Sequence, residues 1–368
     1  MSDIYSIGSI SDIQGLNDVD FLASVLTSWQ FDNLCAYLSQ NRIGKGFLVV
    51  EPVPFSDQPK YRLTESQVIR YKHFFEKIFF CKTRKTPYDF CSLATFAFSR
   101  KNNHPIIILR PLRNQSLRLL SNVTKIKRKI RYVSLDEGMS SYYSLFDSLK
   151  LIYRSPIIAI WKWVEQNLFN LIGGMFVDDE EDYGLFKKKS NGLISNQSVC
   201  LALRNLYESR IPAEESNKPS VVLFKDYNVV PDSFSITVFR RVLSTLSPFD
   251  VNIVIKKHPS DIESLFDNAL LQDFPHINII NSVVSGEELM AVYRPLLIIG
   301  GYSTVVFTSS LIFQTPAISY APMYVHDDTI NVSLRKNIQY FVKQLESPIT
   351  FCDNLETIEQ QMLSILKQ

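Results

Sequence analysis

The sequence has little that would mark it for secretion, for a metal or for a nucleic acid. It has five cysteines in 368 residues: Cys35, Cys81, Cys91, Cys200 and Cys352. The number is odd and no two are closely spaced, which excludes a disulfide framework and a zinc knuckle. Reduced thiols in a cytoplasmic protein are the expectation. The first residues, MSDIYSIGSISDIQG, lack a basic segment followed by a long apolar run, so no signal peptide is read there. The most apolar stretch, Ser155 to Val177, is interrupted by Lys162, Glu165, Gln166 and Asn167. A spanning helix needs about 20 predominantly apolar residues, so the chain is expected to be soluble or peripheral. Twelve glycines and seventeen prolines leave no sign of a repetitive chain. A formal net charge of +2 favours no partner by its overall field. No Asp-x-Asp signature argues for a metal, and none is expected.

What is present is an ordinary globular composition, 46 % hydrophobic and 21 % charged. The second half alternates clearly. Ser220 to Phe224 is an apolar run with strand character, and Phe234 to Leu246 carries apolar residues at helical spacing. Val251 to Ile255 is a β-branched strand, followed by strands at His276 to Ile280, Leu296 to Ile299 and Pro316 to Tyr320. Short helices are expected at Glu287 to Val292 and Ser303 to Ile312, with a last helix from Leu355 to Leu366. Strand, helix, strand at this spacing predicts a doubly wound parallel sheet. In the first half, Gly46 to Pro52, Pro105 to Pro111 and Ile130 to Gly138 read as strands, and Val19 to Leu38 and Glu65 to Ile78 as helices. The fold class is therefore α/β. The polar, proline-bearing segment IPAEESNKPS places the division at 1–212 and 213–368. The last helix is expected to pack back on the first domain.

Three short motifs follow strands directly, at the carboxyl ends where open α/β sheets bind ligands. Asp136-Glu137-Gly138 offers a carboxylate at a loop tip, suited to accept a hydroxyl proton. Taken alone it also fits a common turn. His258-Pro259 follows Lys256 and Lys257, and a histidine that titrates near neutrality suits a leaving phosphate. Alone it fits a surface turn, and His104-Pro105, which precedes a strand, is read as structural. Ser303-Thr304 stands at a helix start after Gly300 and Gly301. Exposed amides and the helix dipole make that end an anion site, and the glycines let backbone approach a phosphate closely. Serine and threonine are also ordinary helix caps.

In order and spacing, LDEGMSSYYSL, IKKHPSD and IIGGYSTVVF resemble the motifs of bacterial sialyltransferases built on two Rossmann-like domains. SGEELMA adds Glu287 between the second and third. The length resembles the lipooligosaccharide sialyltransferases of glycosyltransferase family 52 most, with the capsule polysialyltransferases second. The resemblance implies a GT-B architecture of two Rossmann-like domains facing a central cleft. It also implies a CMP-sialic acid donor and an inverting transfer to a hydroxyl of a bacterial surface glycan (lipooligosaccharide, O-antigen or capsule). By position, Asp136 resembles the general base and His258 the acid that protonates the departing phosphate. Lys256, Ser303 and Thr304, with Gly300 and Gly301, resemble the phosphate site. Glu287 resembles the group that binds the cytidine ribose. Glu137 and Glu288 are the secondary candidates, and no cofactor is implied. Another CMP-activated acidic sugar, such as Kdo, and an inactive polysaccharide-assembly partner are the alternatives.

The segment 101–131 has many Lys and Arg residues and no Asp or Glu. With 155–177, which carries Trp161, Trp163 and Phe169, it suggests contact with an anionic membrane or a lipid-linked acceptor. A solvated basic face followed by a core helix fits the same residues. No nucleic-acid-binding module is recognisable. The expected location is the cytoplasm, peripheral on the inner face of the membrane.

Overall fold

The computed structural model describes residues 3–7, 19–51, 63–82, 106–109, 130–136, 177–189, 192–210, 218–226, 230–258, 261, 265–280, 284–326, 345–346 and 349–367. The chain divides into two compact units, Met1–Gly184 and Leu185–Gln368.

The first unit holds β1 (Asp3–Ile7), β2 (Phe21–Val25), α1 (Ser28–Asn41), β3 (Gly46–Val50), α2 (Glu65–Ile69), a 3-10 turn (Lys72–Phe74), β4 (Phe75–Cys81), β5 (Ile106–Leu109), β6 (Ile130–Leu135) and β7 (Val177–Tyr183). The seven strands form one sheet, ordered β1-β4-β3-β2-β5-β6-β7. Every pairing is parallel. Leaving β1 aside, the order is third-second-first-fourth-fifth-sixth, the doubly wound arrangement of nucleotide-binding folds. β2 and β3 are buried throughout, as strands covered on both faces must be.

Two sequence readings change here. Val19 to Leu38 was expected as one helix, but its first part, Phe21–Val25, is strand β2, and the helix begins only at Ser28. A short apolar run does not reveal its periodicity. The boundary is set by Thr27, whose hydroxyl accepts from the Gln30 N–H and caps α1. Glu65 to Ile78 likewise divides. A Thr64–Gln67 capping box starts α2, which ends at Ile69, and β4 begins at Phe75. Strand β7 has five consecutive acidic residues, Asp178 to Asp182. It lies at the sheet edge, where charge is tolerated and discourages pairing with other chains.

The second unit opens with the hairpin β8 (Phe186–Lys189) and β9 (Gly192–Ser195), then α3 (Gln197–Arg210) and β10 (Ser220–Phe224). It continues with α4 (Asp232–Leu246), β11 (Asn252–Lys256), α5 (Leu265–Asp273), β12 (Asn278–Ile280), α6 (Gly286–Tyr293), β13 (Leu297–Gly300), α7 (Thr304–Phe313) and β14 (Ala317–Ser319). A 3-10 segment (Ala321–His326), β15 (Leu345–Glu346), β16 (Ile349–Phe351) and α8 (Leu355–Leu366) complete it. The main sheet, β12-β11-β10-β13-β14-β16, is again third-second-first-fourth-fifth-sixth and wholly parallel.

The core of this unit joins Val221 and Leu223 of β10, Ile255 of β11 and Ile299 of β13 to Phe239 and Val242 of α4 and Phe266 of α5. Ile358 and Met362 bring α8 into the same core. The last helix thus packs on the sheet of its own unit. The second unit also begins at Leu185 rather than at 213. Helix α3, which the sequence reading did not mark and whose residues fell within 1–212, packs on α6 and α7.

Most of 101–131 and 155–177 lies outside the described residues. Among the described residues no helix is long and apolar enough to cross a membrane.

Phe239 is 1 % exposed and meets Phe266 and Tyr320 edge-on at 5.2 and 6.4 Å between ring centroids. Phe239→Ala should lower stability by about 3–5 kcal/mol in denaturant unfolding. A loss below about 1 kcal/mol would contradict this description of the core.

Candidate functional site

In a doubly wound sheet the ligand crevice forms where the strand order reverses, at the carboxyl ends. In the second unit that point lies between β10 and β13. The register is explicit: Phe224, the last residue of β10, stands level with Lys256 on β11 and with Gly300 on β13. The His-Pro and Ser-Thr motifs therefore leave the sheet on either side of the end of β10.

Two residues that the sequence reading did not single out, Lys225 and Asp226, fill that end. The Lys225 ammonium is 3 % exposed and lies 2.6 Å from Asp261 and 2.8 Å from Asp232. It also sits 4.8 Å from the centre of the Phe266 ring. Burial works against its charge, but Asp232 and Asp261 outweigh that and raise its pKa above the usual lysine value. Asp261 turns its other oxygen toward Lys257, at 3.8 Å, and Lys257 is also paired with Asp267 at 2.9 Å. Lys257 is 1 % exposed and belongs to this charge cluster. The Asp261 N–H donates to the His258 carbonyl at 2.9 Å, which closes the His-Pro turn.

His258 is partly exposed. Burial and the neighbouring Lys256 lower its pKa below the ordinary histidine value, while Asp261 opposes them. Lys256 donates to the Lys257 carbonyl at 2.8 Å. Burial lowers its pKa to about 8.

On the other side, Asp226 Oδ2 accepts from the Tyr302 N–H at 2.7 Å and from the Tyr324 hydroxyl at 2.6 Å. Asp226 is buried, and its Oδ1 has no hydrogen-bond partner. Burial pushes its pKa upward by more than the Tyr324 hydroxyl, the Tyr302 and Ser303 amides and Lys225 lower it. The two glycines are needed for close approach. A Cβ at Gly301 would stand 2.0 Å from Asp226 Oδ2 and 2.1 Å from the Tyr324 oxygen, and one at Gly300 would stand 2.5 Å from a Val306 methyl. Ser303 is the N-cap residue of α7, yet its hydroxyl makes no capping bond. Ser303 is half-buried and Thr304 exposed. The first amides of α7 and both hydroxyls thus stand at the switch point, as an anion site requires.

Glu287 lies in the first turn of α6 and is 9 % exposed. It accepts from the Thr308 hydroxyl of α7 at 2.5 Å, so the two helices that start beside the crevice are tied there. Glu288 has another task. It completes a capping box with Ser285 and pairs with Arg210 at 3.4 Å.

In the first unit, Asp136 follows β6 at its carboxyl end and is 3 % exposed. Glu137 and Gly138 lie outside the described residues. One Asp-x-Asp string does occur, Asp18-Val19-Asp20, contrary to the reading that none is present. Asp20 precedes β2 and donates its N–H to the Lys45 carbonyl at 2.9 Å. That is the amino end of the strands, the opposite end from a ligand crevice.

No curated protein matches the sequence. Among solved structures, a UDP-N-acetylglucosamine 2-epimerase from Listeria monocytogenes aligns over 95 % of this chain and 88 % of its own, with TM-score 0.53 and 8 % identity. The GT-B domain of a sialyltransferase from Photobacterium damselae aligns over 90 % of this chain and 99 % of its own, with TM-score 0.46 and 11 % identity. A Photobacterium 2,6-sialyltransferase, solved with CMP and lactose, aligns over 90 % of this chain and 78 % of its own, with TM-score 0.43 and 14 % identity. At 8 % identity the likeness to the epimerase is one of fold alone. The sequence profile of the alpha-2,8-polysialyltransferase (POLYST) family matches residues 21–321. Of the two families that the motifs resemble, this is the polysialyltransferases. With that match over most of its length, the chain belongs to the alpha-2,8-polysialyltransferase family: it is a glycosyltransferase, a sialyltransferase.

Proposed function

We propose that the enzyme takes sialic acid from CMP-sialic acid and adds it, with inversion, to a hydroxyl of a glycan that already ends in sialic acid. The observation that carries the donor side is the register of β10. It aligns Lys256, two residues before His258, and Gly300, before the Ser-Thr turn, with a single strand end. A cation, a titratable imidazole and a helix start with its cap hydroxyl unused then border one crevice, as a departing CMP phosphate needs. The family name supports the acceptor.

In this reading His258 protonates the leaving phosphate, and Lys256 with the start of α7 holds its charge. Glu287, fixed by Thr308, accepts from the cytidine ribose hydroxyls. Asp136 takes the proton of the attacking hydroxyl. The bond to CMP breaks as the glycosidic bond forms, and the sugar's own carboxylate helps to stabilise positive charge developing at the anomeric carbon. Donors and cations cover the phosphate, so the step needs no metal. The basic segment 101–131, with 155–177, would hold the enzyme on the anionic inner face of the membrane, near a lipid-linked acceptor.

Replacing Ser303 and Thr304 together by alanine should weaken CMP binding about tenfold in calorimetry. Unchanged affinity would put the phosphate elsewhere. Asp136→Asn should reduce transfer by about 10²-fold with CMP binding intact, and near-normal turnover would remove Asp136 from the mechanism. The Lys256 ammonium deprotonates at about 8, so CMP affinity should fall as pH rises through that value. A Lys256→Met variant should lose this pH dependence, and a decline that persists in it would exonerate Lys256.

A further inference from the structure

We propose that Lys225-Asp226 is a pair of positioning residues, in which Asp226 sets the Gly301–Ser303 turn that receives the phosphate and Lys225, through Asp261, sets the His258 turn. The inference rests on the reading of this crevice as the CMP site.

The two side chains leave one strand end and engage the two motif turns separately. Asp226 accepts from the Tyr302 N–H, one residue before the Ser303 cap. The carboxylate thereby fixes where the first amides of α7 point. The Tyr324 hydroxyl holds the same oxygen from behind, and the side chain is buried, so the acceptor cannot swing away. The glycine at 301 belongs to the same device, since any Cβ there would displace Asp226 or Tyr324.

Lys225 acts on the other turn. Its ammonium holds Asp261, whose backbone N–H closes the turn on the His258 carbonyl. Among the described residues, Lys256 and Asp261 act on His258; Lys225 after β10 and Lys257 pair with Asp261, Asp232 of α4 with Lys225, and Asp267 of α5 with Lys257. Asp261 is the carboxylate that favours the imidazolium, and Lys225 offsets part of its charge.

The cluster permits clean substitutions. Asp261→Asn leaves Lys225 with Asp232 and Lys257 with Asp267, so neither buried ammonium is orphaned. Lys225→Met leaves Asp261 facing Lys257.

The test uses the full chain, with CMP titrated by calorimetry and the His258 imidazole titrated by NMR, its resonance assigned with His258→Gln. Asp226→Ala should weaken CMP about tenfold without moving the His258 midpoint. Asp261→Asn should lower that midpoint and Lys225→Met should raise it. A midpoint that moves in neither variant would mean that His258 is not governed by the Lys225–Asp261 pair, which would overturn the Lys225 role. Equal CMP affinity in wild type and Asp226→Ala would overturn the Asp226 role. Where Asp226→Ala does not fold, Tyr324→Phe replaces it, with a smaller loss of CMP affinity expected and no loss counting against the proposal. A wild-type chain that binds no CMP would remove the donor-site reading instead, and the two His258 shifts would still decide for or against the Lys225–Asp261 connection.

Discussion

A lysine ammonium buried at the end of β10 is the constraint around which the second unit is arranged. Removing such a charge from water carries an effective penalty of several kcal/mol. It is tolerated only because Asp232 and Asp261 converge on Lys225 at 2.8 and 2.6 Å. Asp232 opens α4 and Asp261 follows the His-Pro motif, so satisfying one cation fixes the start of a helix and a functional turn together. Asp261 reaches on to Lys257, and that lysine reaches Asp267 on α5. The next residue, Asp226, orders the opposite turn through a backbone amide. The polar residues of the crevice are therefore held by a charge network beneath them, while the apolar core of α4, α5 and α8 supports the sheet from below.

Much of this was legible in the sequence. Apolar β-branched runs bounded by turn residues marked β3, β5, β6, β10, β11 and β13, because a strand covered on both faces needs no polar alternation. The three motifs were legible through their position after those strands. The glycines before Ser303 were read as allowing close approach to a ligand, and the structure adds a reason inside the protein, the space taken by Asp226 and Tyr324. What was not legible depended on neighbours distant in sequence. Phe21–Val25 and Phe75–Cys81 became strands through the strands they pair with. Lys225-Asp226 was not singled out, since Asp261 and Tyr302, which give the pair its meaning, stand 36 and 76 residues away. Glu288 stood as the secondary candidate beside Glu287, and the capping box and Arg210 give it a structural task of its own. The KK pair before His258 hid a division of labour. Lys257 is locked among carboxylates, whereas Lys256 has its pKa lowered by burial to about 8.

Both units have the same strand order, with β1 added at the edge of the first. Each brings chemistry to carboxyl strand ends: a buried carboxylate after β6 in the first, cations and a helix start in the second. This placement explains why none of the motifs was decisive alone. Each is a common turn or cap, and its meaning comes from the strand end on which it stands.

The central claim is a sialyl transfer to a sialylated acceptor. It is tested most directly by incubating the full chain with CMP-sialic acid and parallel acceptors ending in sialic acid or galactose, then reading the products by mass. The account predicts release of CMP together with addition of one or more sialic acid residues to the sialylated acceptor. Addition to the galactose-ending acceptor alone, or to neither acceptor with a correctly folded chain, would contradict it.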